Sequence, residues 1–109
     1  MKHEITSLQL KELIEKGEQI VLVDVREAYE HEGFNIGGTL IPLNQLRQRF
    51  RELDADKKIV VYCQRGNRSA YAVNFLVQRG FENAKTLAGG IEDWSVTIDP
   101  KGRNSDPRG

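Results

Sequence analysis

The chain holds one cysteine, Cys63, and the residues beside it are the ones with types able to do chemistry: Gln64, Arg65, Gly66, Asn67, Arg68 and Ser69. The β-branched run "KKIVVY" leads into it. Beyond it, Ala70, Val73, Leu76 and Val77 fall on one helical face, with Gly80 as the stop. Cys63 is therefore expected at the carboxyl end of a buried strand, just before a helix that begins about Asn67 or Arg68. In an open parallel sheet, ligands bind beyond those strand ends. Unpaired backbone N–H groups and the positive end of the helix dipole favour an anion there. Gly66 permits a positive φ that turns several amides inward as a nest, and Arg65 and Arg68 add positive charge. Such a cradle stabilises negative charge on sulfur, which is how a cysteine becomes a nucleophile with no histidine beside it. A cysteine closing a buried strand is also a common small hydrophobe. The glycine, the two arginines and the strand-to-helix position together favour catalysis.

The elements that must hold this loop alternate in period. "ITSLQLKELIEKG" places Leu8, Leu10, Leu13 and Ile14 at mostly helical spacing, with Thr6 or Ser7 as N-cap and Gly17 as stop. "QIVLVDV" is a buried strand, and "REAYEHEGF" a short polar helix ended by Gly33. "TLI" is a brief strand before Pro42, which opens a helix over "LNQLRQRFREL". "AKTLAGG" is a strand leading into a glycine pair, and "IEDWSV" a last helical turn. Strands alternating with helices across short loops imply right-handed crossovers and a parallel sheet covered on both faces, an α/β fold. Residues 1–97 read as one domain and the polar residues 98–109 as a disordered tail.

The totals agree with one soluble domain. The 109 residues are 39% hydrophobic and 29% charged. Sixteen basic residues balance sixteen acidic ones, so charge does not suggest nucleic acid as a partner. One cysteine rules out an internal disulfide and a zinc site built on several thiolates, and no metal or organic cofactor is implied. No run approaches membrane-spanning length, the N-terminus lacks the apolar core of a signal peptide, and a reducing cytoplasm is the expected compartment. Nothing demands a dimer, so the expectation is a monomer. His3 and His31 read as surface residues.

The segments "VLVDVRE", "IGGTLIPL", "IVVYCQRGNRSAYAVNFLVQRGF" and "LAGGIEDW", in this order and spacing, resemble a single-domain rhodanese of the sulfurtransferase family. The resemblance covers about Ile5 to Ser95. It implies a five-stranded parallel sheet flanked by helices and a cysteine that takes a sulfane sulfur from a donor such as thiosulfate, holds it as a persulfide and hands it to a nucleophilic acceptor. One segment departs from the pattern. "GFNIGGTLIP" places Phe34 or Asn35 where the family often has a histidine, a change expected to affect packing around the turn more than chemistry.

Loop length separates this chemistry from phosphate chemistry. Phosphatases and arsenate reductases of related fold need five residues between cysteine and arginine to surround a tetrahedral oxyanion. Here four separate Cys63 from Arg68, a tighter cradle suited to one extra sulfur. The amides from Gln64 to Ser69 are expected to stabilise thiolate and persulfide. Arg65, at the apex, is the candidate to attract the anionic donor. Arg68 either faces the substrate or runs back to an acidic residue. Ser69 reads as a cap or loop bond rather than a reactant. Asp24 and Arg26, at the end of the first apolar run, read as a buried network that pins neighbouring loops, which Glu30 could join, in preference to substrate binding by Arg26. Gly89 and Gly90 allow close backbone packing near the active loop, Trp94 is a core anchor, and Tyr62 and Tyr71 read as core before pocket rim.

Two functions share this chemistry: an enzyme charged by a small anionic donor, and a relay module charged by a partner protein, with a protein sulfur donor or acceptor as its partner. A catalytically idle regulatory domain is a third possibility, against which the retained cysteine and basic loop argue.

Overall fold

The β-branched runs around Val23 and Val61 form the centre of the molecule. The structure, a computed structural model, describes residues 2–99. Its strands are β1 (Glu4–Ile5), β2 (Ile20–Asp24), β3 (Thr39–Leu40), β4 (Lys58–Tyr62) and β5 (Ala84–Leu87). Its helices are α1 (Ser7–Glu15), α2 (Ala28–Gly33), α3 (Leu46–Arg49), α4 (Asn67–Val77) and α5 (Gly90–Thr97). The sheet has five strands in the order β1-β5-β4-β2-β3, and every pairing is parallel. This is the α/β architecture expected, with one strand the sequence pattern missed. β1 is two residues long and pairs Glu4 with Thr86 and Ile5 with Leu87, too short to show a period of its own.

Side chains alternate across β4 and define two cores. Ile59, Val61 and Cys63 face a cluster with Leu46, Ala72, Val73 and Leu76, beneath α3 and α4. Val60 and Tyr62 face the opposite cluster with Leu10, Ile91 and Trp94, beneath α1 and α5. Trp94 is the core anchor expected. Ile98 packs against this second core, and the backbone N–H groups of Ile98 and Asp99 both donate to the Trp94 carbonyl. The expected tail from residue 100 onward lies outside the described residues.

Several local expectations change. The helix over "LNQLRQRFREL" is three short pieces, a 3₁₀ turn at Leu43–Gln45, α3, and a second 3₁₀ turn at Phe50–Glu52. Short pieces let Leu46 point into the core while Phe50 packs edge-on against Phe75 and Phe81. In α1, Thr6 caps the helix through a reciprocal pair with Gln9, and Leu10 is buried, but Leu8 and Ile14 are exposed. Tyr71 is exposed rather than core, because the buried stripe of α4 is Ser69, Ala72, Val73 and Leu76.

The chain order determines where a site can form. From β2 the chain runs outward to β3, then returns across β2 to lay down β4 on the other side. The carboxyl ends of β2 and β4 thus lie side by side where strand order switches, and Val25 N–H donates to the Tyr62 carbonyl there at 3.1 Å. Among the described residues, no helix is long and apolar enough to cross a membrane.

Candidate active site

Cys63 continues the last strand pair into the switch region, and its loop wraps back around its own sulfur. The N–H of Gly66 points to Cys63 Sγ at 3.1 Å and that of Ser69 at 3.3 Å. Gly66 has φ +110°, a region that side chains other than hydrogen rarely occupy, and it caps α4. Among the described residues, the backbone N–H groups of Gln64, Arg65, Asn67 and Arg68 have no protein acceptor, so this cradle keeps spare donors. Ser69 is fully buried. Its Oγ lies 3.4 Å from the thiol, 2.7 Å from Thr86 Oγ1 and 3.2 Å from the Gly66 carbonyl, so it ties loop to sheet.

The glycine pair supports this loop from below. Ile91 N–H donates to the Cys63 carbonyl at 2.9 Å and Glu92 N–H to the Gln64 carbonyl at 3.1 Å. A Cβ on Gly90 would sit 2.6 Å from the Cys63 carbonyl oxygen and 2.5 Å from that of Gln64, so only glycine permits this approach. The first turn of α5 is in effect the floor of the cysteine loop.

Cys63, Gln64, Arg65, Asn67, Arg68 and Glu92 line an open pocket of about 350 Å³. Every residue of the expected loop thus reaches the pocket except Gly66 and Ser69, which act from behind it. The arginines are not both free. Arg68 lines the pocket and also makes a two-pronged pair with Glu30 at 2.7 and 3.0 Å, a link from α4 to α2. Arg65, at the exposed apex, meets Glu92 at 3.0 Å, and Gln64 Nε2 reaches the same carboxylate at 3.3 Å.

Asp24 and Arg26 form a buried network. Asp24 is wholly buried and Arg26 nearly so, and the guanidinium holds the carboxylate through Nε at 3.0 Å and its terminal nitrogen at 2.9 Å. Arg26 also donates to the Phe34 carbonyl at 2.6 Å and to Gln64 Oε1 at 3.3 Å, linking the turn after α2 to the cysteine loop. His31 corrects the surface reading: Nδ1 lies 2.8 Å from Asp24 Oδ2. Asn35, at the departure from the family pattern, braces the turn, donating to the His31 carbonyl and accepting from Gly37 N–H. Tyr62, its hydroxyl bonded to the Gly37 carbonyl, is core, and burial pushes its phenol up from the ordinary value. His3 is part-buried against the Ala84 carbonyl, away from the pocket.

Glu30 joins the site through Arg68, and Arg68 is the main reason its carboxyl is held at about 2 against an ordinary 4.5. A carboxyl lowered in the folded state adds stability above its unfolded value, and that stability drains away as pH falls from 4.5 toward 2. Glu30→Gln is therefore expected to be less stable than the parent at neutral pH, with the gap closing across that acid window. Urea unfolding at stepped pH checks this, and a gap that stays constant would contradict it.

Glu92, His31 and Thr86 are the site residues that sequence reasoning did not name. Glu92 carried a signal, since it lies two residues beyond the glycine pair that brings α5 against the loop. Among the described residues, no group of three or more His, Cys, Asp or Glu side chains is placed to hold a metal. What the arrangement can do is hold a thiolate, and a sulfur attached to it, within a ring of amides at the floor of an open pocket.

Comparison with known proteins bears on this chemistry. The family described as Rhodanese-like domain matches residues 6–97. Adenylyltransferase and sulfurtransferase MOCS3 of Arabidopsis thaliana is 34% identical, over 88% of this chain and 24% of its own length. The chain thus spans about a quarter of the length of that plant relative. A sulfurtransferase of Allochromatium vinosum is 32% identical, over 87% of this chain and 90% of that protein. The crystal structure of a rhodanese-related protein from Thermoplasma volcanium shares 37% identity and superposes with a TM-score of 0.81, over 88% of this chain and 93% of that one. A match over residues 6–97 with a fold superposing this closely admits one classification: the chain belongs to the rhodanese-like domain family, and the relatives it resembles include sulfurtransferases.

Proposed function

We propose that this protein is a sulfurtransferase that carries sulfane sulfur on Cys63. The Cys63 thiolate attacks the outer sulfur of thiosulfate or a similar anionic donor. A new S–S bond forms to Cys63, the donor's own S–S bond breaks, and sulfite leaves with the bonding electron pair. Cyanide or a thiolate then attacks the terminal sulfur of the persulfide, and the Cys63 thiolate leaves, ready for the next cycle. The observation that carries this reading is the pair of N–H groups aimed at Cys63 Sγ, with further unpaired amides around an open pocket. Negative charge is present on the thiolate and again on the terminal sulfur of the persulfide, and the same fixed dipoles offset both without rearranging. A four-residue spacing to Arg68, with that arginine committed to Glu30, fits a single added sulfur better than an encircled phosphate. The unpaired thiol suits a reducing compartment such as the cytoplasm.

One observation favours a second reading, in which a partner protein charges Cys63. Both loop arginines are engaged by carboxylates, which weakens their pull on a small dianion. Initial-rate kinetics with thiosulfate and cyanide test the proposal. Transfer through a persulfide predicts parallel double-reciprocal lines, whereas intersecting lines would require both substrates bound at once and would contradict it. Slow thiosulfate turnover beside rapid charging by a protein persulfide would select the partner-fed form.

A further inference from the structure

We infer that Glu92 is a specificity-determining residue, placed at the pocket mouth so that small dianionic sulfur donors are disfavoured and persulfides on neutral or cationic carriers are favoured. The inference rests on sulfur transfer at Cys63 and names the donor class of that same site.

Among the described residues, six line the Cys63 pocket, and Glu92 is the one acidic side chain of these. Its carboxylate takes Arg65 Nε at 3.0 Å and Gln64 Nε2 at 3.3 Å through a single oxygen, Oε2. Arg65 first, and Gln64 next, hold its carboxyl below the usual carboxylate range, so the negative charge is present throughout neutral pH. Arg68 is spoken for in the same way by Glu30. Each pocket arginine is therefore paired with a carboxylate, Arg65 with Glu92 in the lining and Arg68 with Glu30 behind it, and attraction for a donor falls more to the backbone amides around the sulfur. Two of those amides, of Gly66 and Ser69, are directed at Cys63 Sγ itself. With the outer sulfur of thiosulfate against Cys63, its sulfonate group would point away toward the mouth, beside Glu92 and its partner Arg65.

The Arg65–Glu92 pair is exposed, with 76% of the arginine side chain and 48% of the glutamate accessible. Such a pair opens at little cost, so Glu92 tunes entry and does not block it. An ammonium group carried on the donor reverses the sign: it meets Glu92 as a partner and leaves Arg65 free to swing outward.

Single-turnover charging of Cys63, read by intact mass, tests this with two probes, thiosulfate and cysteamine persulfide. Glu92→Gln is expected to improve the apparent affinity for thiosulfate by about threefold to tenfold at low salt, the scale of one unit charge acting on a dianion across a few ångströms of hydrated space. High salt should erase most of that gain. The same variant is expected to weaken charging by cysteamine persulfide, and adding Arg65→Gln should return thiosulfate to the parent range. Glu18→Gln removes an equal charge from the remote pair with Lys58 and should alter neither donor, which separates a local effect from net charge. Equal responses of the two donors to Glu92→Gln, or none, would overturn the role of Glu92 and leave sulfur transfer standing. Failure of every form of the protein to take up sulfur from either donor would overturn both.

Discussion

Cys63→Ser is expected to lose sulfur transfer by about three to six orders of magnitude while keeping its fold, since a covalent route loses its nucleophile outright. The serine Oγ can accept from the same Gly66 and Ser69 N–H groups that face Cys63 Sγ, so the loop keeps its shape. The site is buried and the change removes only the difference between sulfur and oxygen, for which a stability cost of about 1 kcal/mol is reasonable. Thiocyanate formation together with urea unfolding would separate the two effects. A variant that folds and still turns over within tenfold of the parent would remove Cys63 from the mechanism. The alternative role, a small core hydrophobe, predicts the reverse pattern of lost stability and retained rate.

Asp24→Ala is expected to be the most damaging single change to stability. Asp24 is wholly buried and is the counter-charge to Arg26, itself 2% exposed. It receives the Arg26 N–H at 3.0 Å, the guanidinium at 3.0 and 2.9 Å, and His31 at 2.8 Å. Alanine would leave a guanidinium buried without its carboxylate, at a cost of about 3–5 kcal/mol. That is a large share of the roughly 5–15 kcal/mol that holds a domain of this size together. The damage should spread, because Arg26 also fixes the Phe34 carbonyl and touches Gln64 in the cysteine loop. Denaturant unfolding gives the cost directly, and a loss under 1 kcal/mol would mean that the network is not what pins these loops.

These two predictions rest on parts of the molecule that differ in how far the sequence revealed them. The cysteine loop was legible because its geometry is local. A β-branched run, a glycine three residues after the thiol and a helical period right after it place Cys63 at a strand end whatever the rest of the chain does. Asp24 and Arg26 were legible for the same reason, standing two residues apart where β2 ends. Their partners were less so: Glu30 could be named as joining the Asp24–Arg26 network, but not as the partner of Arg68. Glu30 reaches Arg68 across 38 positions and Glu92 reaches Arg65 across 27, contacts made only when α2 and α5 close on the loop. His31 looked like a surface residue because α2 is polar along its length, yet one turn of that helix faces the buried carboxylate of Asp24. Strand β1 escaped because its two residues, one of them charged, stand in no apolar run, whereas the equally short β3 was marked by "TLI" before Pro42. Its place comes from the edge of β5, which offers a backbone ladder to the Glu4–Ile5 segment.

The same distinction explains why the donor is harder to infer than the chemistry. Amides fixed by Gly66 and by the first turn of α4 follow from backbone geometry, and two of them point at Cys63 Sγ. The charge at the mouth depends on side-chain partners supplied from elsewhere in the chain, since Arg65 and Arg68 are each paired with a glutamate of another element.

Intact-mass spectrometry of the protein after exposure to a sulfane-sulfur donor decides whether Cys63 carries sulfur. The parent is expected to gain the mass of one sulfur atom, cyanide to remove it with release of thiocyanate, and Cys63→Ser to gain nothing. A reduced, accessible Cys63 that takes up no sulfur from either thiosulfate or a persulfide would contradict this expectation.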